Sequence, residues 1–248
     1  MTKLFIAGTS QHGYIYNHFE IPYVLESFFY INEVVANRIQ NYKTFLLDSG
    51  GFTFGASQNK SINDVDDYVE RYIKFIKKYD VKYYMELDIE NIIGKEKTIY
   101  YRNKLEQSTG KPSIPVWNVY RGMDAWYRYC ENYDYISIGR ISGSGLRKYP
   151  EKIKTLLKIA EIHNTKVHLL GMTEPNIEQY NCYSVDSTSW LSGGRFGSMY
   201  RFNGRCMEAY NKKDNQRLRH GYKANNLHNL KEWLKYQKHL DKQYKGVR

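Results

Sequence analysis

The feature that most constrains this chain is a short apolar run followed by an amphipathic stretch, repeated along most of its length. Parallel strands cannot be joined by tight turns and need crossovers of a dozen or so residues, so this alternation points to a parallel sheet with packed helices. The strand-like runs are Leu4 to Ala7, Phe45 to Leu47, Tyr83 to Leu87, Ile114 to Val119, Tyr135 to Ile138, Val167 to Leu170 and Tyr183 to Val185. Between them, Ile62, Val65, Val69, Ile73 and Ile76 fall on one helical face, with Ser61 as N-cap and Asp64 three residues on. Glu151 to His163 follows Pro150, which suits a first helical turn. Tyr23 to Ile39 is a longer apolar helical candidate, and Leu227 to Leu240 a basic, Trp-bearing C-terminal helix. Seven runs favour an α/β fold of the TIM-type (β/α)8 barrel class, with irregular or missing elements, over a small open sheet; a doubly wound sheet is the alternative. No Pro/Gly-rich linker, low-complexity tract or fixed-period repeat divides the chain, so residues 1–248 read as one domain.

In a parallel barrel the active site lies at the C-terminal ends of the strands, so the polar residues just after each run are the candidates for chemistry. They are Asp48-Ser49-Gly50-Gly51-Phe52, then Asp88, Asn118, Gly139-Arg140, Gly171-Met172-Thr173 and Asp186-Ser187-Thr188. Three carboxylates at one mouth repel each other, and partial burial drives their pKa values apart, so one can attack while another carries a proton. A single strand-end Asp is as readily a helix N-cap; three converging ones are not explained that way. Gly50, Gly51 and Gly139 beside them allow the backbone to approach a flat ring closely.

Asp48-Ser49-Gly50-Gly51-Phe52 resembles the DSGGF motif of the queuine tRNA-ribosyltransferases, or tRNA-guanine transglycosylases, whose Asp is a general acid/base. Ile136-Ser137-Ile138-Gly139 is similar to that family's base-pocket strand, Leu169-Leu170-Gly171-Met172 to its next strand motif, and Val185-Asp186 to the place of its nucleophilic Asp. The order matches, and the likeness runs from about Leu46 to Trp190. Asp88 resembles the base-recognising Asp, and Asn118 lies where a base-reading polar residue is expected. The family's zinc cluster has no counterpart, because Cys130, Cys182 and Cys206 are widely spaced with no CxC or CxxC pair, and the length leaves no room for an appended RNA-binding domain. Compact, zinc-less chains with these motifs look most like the phage branch, similar to DNA transglycosylases that place 7-deazaguanine derivatives in DNA.

The resemblance implies base exchange. Asp186 displaces guanine to give a glycosyl-aspartate, Asp48 shuttles the proton, and a free 7-deazaguanine base is the co-substrate. Asp88, Ser49, Gly50, Asn118, Gly139 and Arg140 would form the base pocket, with no metal and no cofactor. DNA is the expected partner and tRNA the nearest alternative. A glycosylase leaving an abasic site and a non-catalytic nucleic-acid-binding barrel are the others.

Charge bears on the partner. Thirty-seven Lys and Arg against 26 Asp and Glu give a formal net charge of +11, which concentrates polyanions near the surface. Arg147, Arg195, Arg201 and Arg205 are the phosphate-contact candidates, with the basic C-terminal helix as a wider face. The chain has 25 Tyr, many beside basic residues, as in Tyr120-Arg121, Tyr127-Arg128-Tyr129 and Tyr200-Arg201-Phe202, and such rings can stack on unpaired bases. Most of the 25 are better read as half-buried packing. The cysteine pattern indicates a reducing compartment, the start Met1-Thr2-Lys3-Leu4 reads as a strand rather than a signal peptide, and no apolar run is long enough to span a bilayer. The expectation is a cytoplasmic protein, in the host cytoplasm if phage-encoded, with no membrane partner; a homodimer is allowed but no exposed apolar stripe compels it.

Overall fold

The computed structural model describes residues 2–56, 62–139, 141, 145–172, 174, 177–211 and 221–243. Among these, eight strands form one parallel sheet: β1 (Lys3–Ala7), β2 (Tyr23–Ser27), β3 (Thr44–Asp48), β4 (Tyr83–Tyr84), β5 (Val116–Trp117), β6 (Tyr135–Ile138), β7 (Lys166–Leu169) and β8 (Ser184–Ser187). Their order is β4-β3-β2-β1-β8-β7-β6-β5. The ends of this ladder meet at a single parallel bridge, Met85 to Ile114, where the Glu86 N–H donates to the Ile114 carbonyl at 3.0 Å and the Ile114 N–H to the Tyr84 carbonyl at 2.8 Å. The result is an α/β fold with a curled parallel sheet, compatible with a TIM-like barrel. A hairpin, β9 (Ser198–Phe202) and β10 (Met207–Asn211), stands apart from it.

Side chains alternate along each strand and define two cores. Phe5, Ala7, Tyr23, Leu25, Leu46, Met85, Ile114, Val116 and Tyr135 pack together inside the curl. Their strand neighbours Leu4, Ile6, Val24, Phe45, Leu47, Ile136 and Val167 join the second core with the surrounding helices. The helices are α1 (Glu33–Ala36), α2 (Gly51–Ala56), α3 (Ile62–Lys78), α4 (Glu90–Ile93), α5 (Lys95–Thr109), α6 (Gly122–Asn132), α7 (Pro150–Ile162), α8 (Ser192–Phe196) and α9 (Tyr222–Gln243). On α3, Val65, Val69, Ile73 and Ile76 are all buried, as their spacing predicts, and each contributes about 1.5–3 kcal/mol of transfer free energy. The Ser61 cap expected for it lies outside the described residues.

The expected helix from Tyr23 to Ile39 is corrected. Tyr23–Ser27 is a strand hydrogen-bonded between β1 and β3, and beyond it only Glu33–Ala36 is α-helical, with a 3-10 turn starting at Ile39. A strand buried on both faces carries a continuous apolar run, which periodicity cannot tell from a buried helix. The runs read as Tyr83 to Leu87 and Ile114 to Val119 shorten to two-residue strands, to which the Met85–Ile114 bridge adds one paired residue each.

Helix α9 covers the hairpin in an unusual way. The Asn229 Oδ1 accepts from the Tyr200 N–H at 2.9 Å, its Nδ2 donates to the Ser198 carbonyl at 3.1 Å, and the Glu232 Oε2 accepts from the Phe202 N–H at 2.9 Å. Side chains of a helix thus take the place of the strand that β9 lacks on that edge. Trp233 and Tyr236 pack on Tyr200 and Phe202 behind these bonds. Cys130, Cys182 and Cys206 are all free thiols. No helix among the described residues is long and apolar enough to cross a membrane.

Candidate functional site

All eight strands run the same way, and the residues at their C-terminal ends surround a cavity of about 830 Å³. Ala7 and Ser27 line it from β1 and β2, Asp48 from β3, Val116 from β5 and Asp186 from β8; Asp88, Gly139 and Gly171 line it from just beyond β4, β6 and β7. Asp48, Asp88 and Asp186, placed at one mouth from the sequence, do face one cavity.

Asp186 is buried, and both of its hydrogen bonds fall on one oxygen. The Gly171 N–H donates to Oδ1 at 2.6 Å, and His168 Nε2 lies 3.2 Å from the same atom. Gly171 presents that N–H from a left-handed conformation, φ 65°. Among the described residues no hydrogen bond falls on its Oδ2, and Asp186 lines the cavity.

Asp48 is set by its turn. The Gly50 N–H donates to its Oδ2 at 3.0 Å, while the Tyr68 hydroxyl holds the Ser49 carbonyl at 2.6 Å and the Tyr72 hydroxyl holds the Met85 carbonyl at 3.0 Å. At Gly50, φ is 70° and an added Cβ would lie 2.7 Å from both the Phe29 Cβ and the Ser27 Oγ, so only glycine fits. Burial pushes the Asp48 carboxyl up to about 6; the Gly50 N–H opposes the rise, and the charges of Asp186 and Asp88 add to it. Such a group exchanges its proton near neutral pH.

Asp88 sits against a buried ionic cluster. Arg121 bonds Glu86 at 2.5 Å, Glu90 at 2.6 Å and the Tyr129 hydroxyl at 2.6 Å, and its Nη2 lies 3.9 Å from the Asp88 Oδ1. Glu86 in turn accepts the Val116 N–H at 2.7 Å, tying the cluster to β5. Across from Asp88, a Cβ on Gly139 would come within 2.6 Å of the Val116 Cγ1 and 3.5 Å of the Asp88 Oδ2. The bare backbone at Gly139 therefore keeps open a slot beside that carboxylate.

The other expected site residues divide. Ser49 lines the cavity, as does Arg195 on α8. Gly50 does not; it braces Asp48. Asn118 is also absent from the wall, because its Oδ1 caps the following turn by accepting the Tyr120 N–H at 3.1 Å. That turn sends Tyr120, 76% exposed, to the cavity mouth, while its neighbour Arg121 is buried in the cluster. Arg140 lies outside the described residues. Arg147 pairs with Glu174 at 3.1 Å, and Arg201 and Arg205 are exposed on the hairpin, away from the cavity wall.

The cavity also holds residues that the sequence did not single out. Glu26, buried at the end of β2, accepts the Thr9 N–H and, at 2.6 Å, the Thr9 hydroxyl, and burial raises its pKa. The strand-end logic that found Asp48 would have found Glu26 had β2 been recognised. His12 and Tyr30 line the wall as well. Burial, and then the charge of Arg195, hold the His12 pKa below its usual range. Among the described residues no group of three or more His, Cys, Asp or Glu is arranged to hold a metal ion.

No protein-family model matches the chain, and no curated protein matches it.

Proposed function

We propose that this chain is an enzyme that breaks and remakes a glycosidic bond between a nucleobase and a pentose, on a TIM-type (β/α)8 barrel whose seam is the Met85–Ile114 bridge. In particular, it is a base-exchanging transglycosylase that replaces guanine in DNA by a 7-deazaguanine derivative. The observation that carries the reading is the unlike pair of carboxylates in one cavity: Asp186 with its donors on one oxygen, and Asp48 poised at about 6.

An Asp186 Oδ2 lone pair attacks C1′ of the target nucleotide. The C1′–N9 bond breaks, its electron pair leaves with guanine, and the proton comes from Asp48. The incoming base gives its N9 proton to Asp48 and attacks C1′, and the C1′–Oδ2 pair returns to Asp186. Two displacements retain configuration, as in retaining glycosidases. Asp88 accepts the N1–H and amino group of the purine lying in the slot over Gly139, which favours guanine-like edges over adenine. A nucleotide within a duplex is flipped out to reach this depth, at a cost of a few kcal/mol. Tyr120 and Tyr30 at the mouth offer stacking surface, and Arg195 a phosphate contact. The reaction takes place in the cytoplasm, that of the host if a phage encodes the chain.

The test incubates the protein with radiolabelled guanine or 7-deazaguanine bases and, separately, duplex DNA, single-stranded DNA and tRNA. Label entering DNA is the expected result. Label entering only tRNA moves the substrate to RNA, and abasic sites without added base indicate hydrolysis instead.

A further inference from the structure

Inside the curl, below Asp186, runs a chain of polar groups that the reaction above does not use. His168 is fully buried, with its Nε2 3.2 Å from the Asp186 Oδ1 and its Nδ1 2.7 Å from the Ser184 Oγ. The Ser184 Oγ is in turn 2.6 Å from the Tyr135 hydroxyl. Strand register makes this arrangement: Ser184 is the partner of His168 across β7 and β8, and Asp186 is two residues further along the same face. Phe5 packs edge-on to the imidazole at 5.9 Å. A polar ring in this apolar layer is costly unless its nitrogens are satisfied, and both are.

We infer that His168 is a positioning residue for Asp186: a neutral imidazole, fixed as the Nε2–H tautomer by the Tyr135–Ser184 relay, that holds Oδ1 and leaves Oδ2 alone to meet C1′. The proposal rests on the reading of Asp186 as nucleophile. Tyr135 is the donor at the top of this relay, because among the described residues the Ser184 Oγ is the one partner of its buried hydroxyl, whose proton would otherwise go unpaired. Its hydroxyl donates to Ser184, Ser184 donates to Nδ1, and Nε2–H donates to Oδ1. The ring gains and loses no proton in either displacement. In the glycosyl-aspartate Oδ1 is the ester carbonyl oxygen, and it stays hydrogen-bonded to His168 and Gly171. When the incoming base displaces Asp186, charge returns to a carboxylate already facing two donors, which costs little reorganisation.

Two measurements separate the relay from the catalytic reading. Nitrogen-15 NMR of histidine-labelled protein should show His168 as a neutral Nε2–H tautomer, and Ser184→Ala should lose that preference; an Nδ1–H ring or an imidazolium overturns the inference whether or not the protein is active. Single-turnover transfer with His168→Phe should then be slower by about ten- to a hundredfold, the usual weight of a hydrogen bond to a charged group, with KM for the entering base unchanged. His168→Gln, whose amide N–H can stand where Nε2–H stood, should recover part of the rate. Equal loss in both variants, or no loss in either, also overturns it. If His168→Phe does not fold, Ser184→Ala carries the kinetic comparison, with a smaller loss expected. Absence of transfer by the unaltered protein sinks the transglycosylase reading and leaves the NMR result to decide the relay.

Discussion

Asp186 and Asp48 look into the same cavity from β8 and β3, yet the protein treats them differently. Asp186 is given a backbone N–H and a ring nitrogen on one oxygen, which fixes its direction. Asp48 receives backbone N–H groups from its own turn, but burial and the neighbouring carboxylates outweigh them, so its proton comes off only near pH 6. Two copies of one side chain acquire separate tasks from what surrounds them. The surroundings are the backbone at Gly171 and Gly50 as much as any side chain.

Substitutions can break this contrast. Asp186→Asn keeps the acceptor that Gly171 and His168 grip but removes the attacking charge, and transfer should fall by about ten-thousandfold or more, with no trapped adduct. An adduct that persists would take the nucleophile role from Asp186. Asp48→Asn should slow transfer by about 10²–10⁴-fold, the range for a lost general acid/base, and should flatten the limb of the pH–rate profile near 6. The same variant makes a stability prediction of definite sign. Because the folded pKa of Asp48 lies above its unfolded value, its proton favours the fold at low pH, and that contribution is lost as the pH rises through about 6. Asp48→Asn should therefore be more stable than the parent at pH 8, by on the order of 2 kcal/mol, and no more stable at pH 4, as denaturant titration would show. The smallest effect belongs to Asp88→Asn, which should cut discrimination between guanine and adenine edges by about ten- to a hundredfold while leaving nucleic-acid affinity in place. Unchanged base selection would remove Asp88 from that role.

The strand ends that carry the site were legible because polar residues interrupt apolar runs there. Asp48, Asp88, Gly139 and Asp186 all reach the cavity from positions fixed by that pattern. Glu26 was hidden because Tyr23, Val24 and Leu25 are buried on both faces of β2 and mimic a helical segment. His168 was hidden for another reason: it lies within a strand, and only the register with β8 brings it to Asp186. Asn118 carried the right chemistry to the wrong place, since its amide is spent on a turn. Helix α5 left little trace in the pattern, because Thr98, Tyr101 and Leu105 are its only fully buried residues. Tertiary register and local capping are not written in residue type, and they account for these differences.

The hairpin has a consequence for the life of the chain before the fold is complete. In the finished protein, Asn229 and Glu232 occupy the backbone groups of β9 that a strand from another molecule would otherwise find. Those side chains belong to α9, which leaves the ribosome after β9 and β10. While the chain is being made, and in any copy truncated before residue 222, the β9 edge is open to self-association by strand addition. Helix α9 therefore closes an edge that, before it is made, has the backbone groups a foreign strand would pair with.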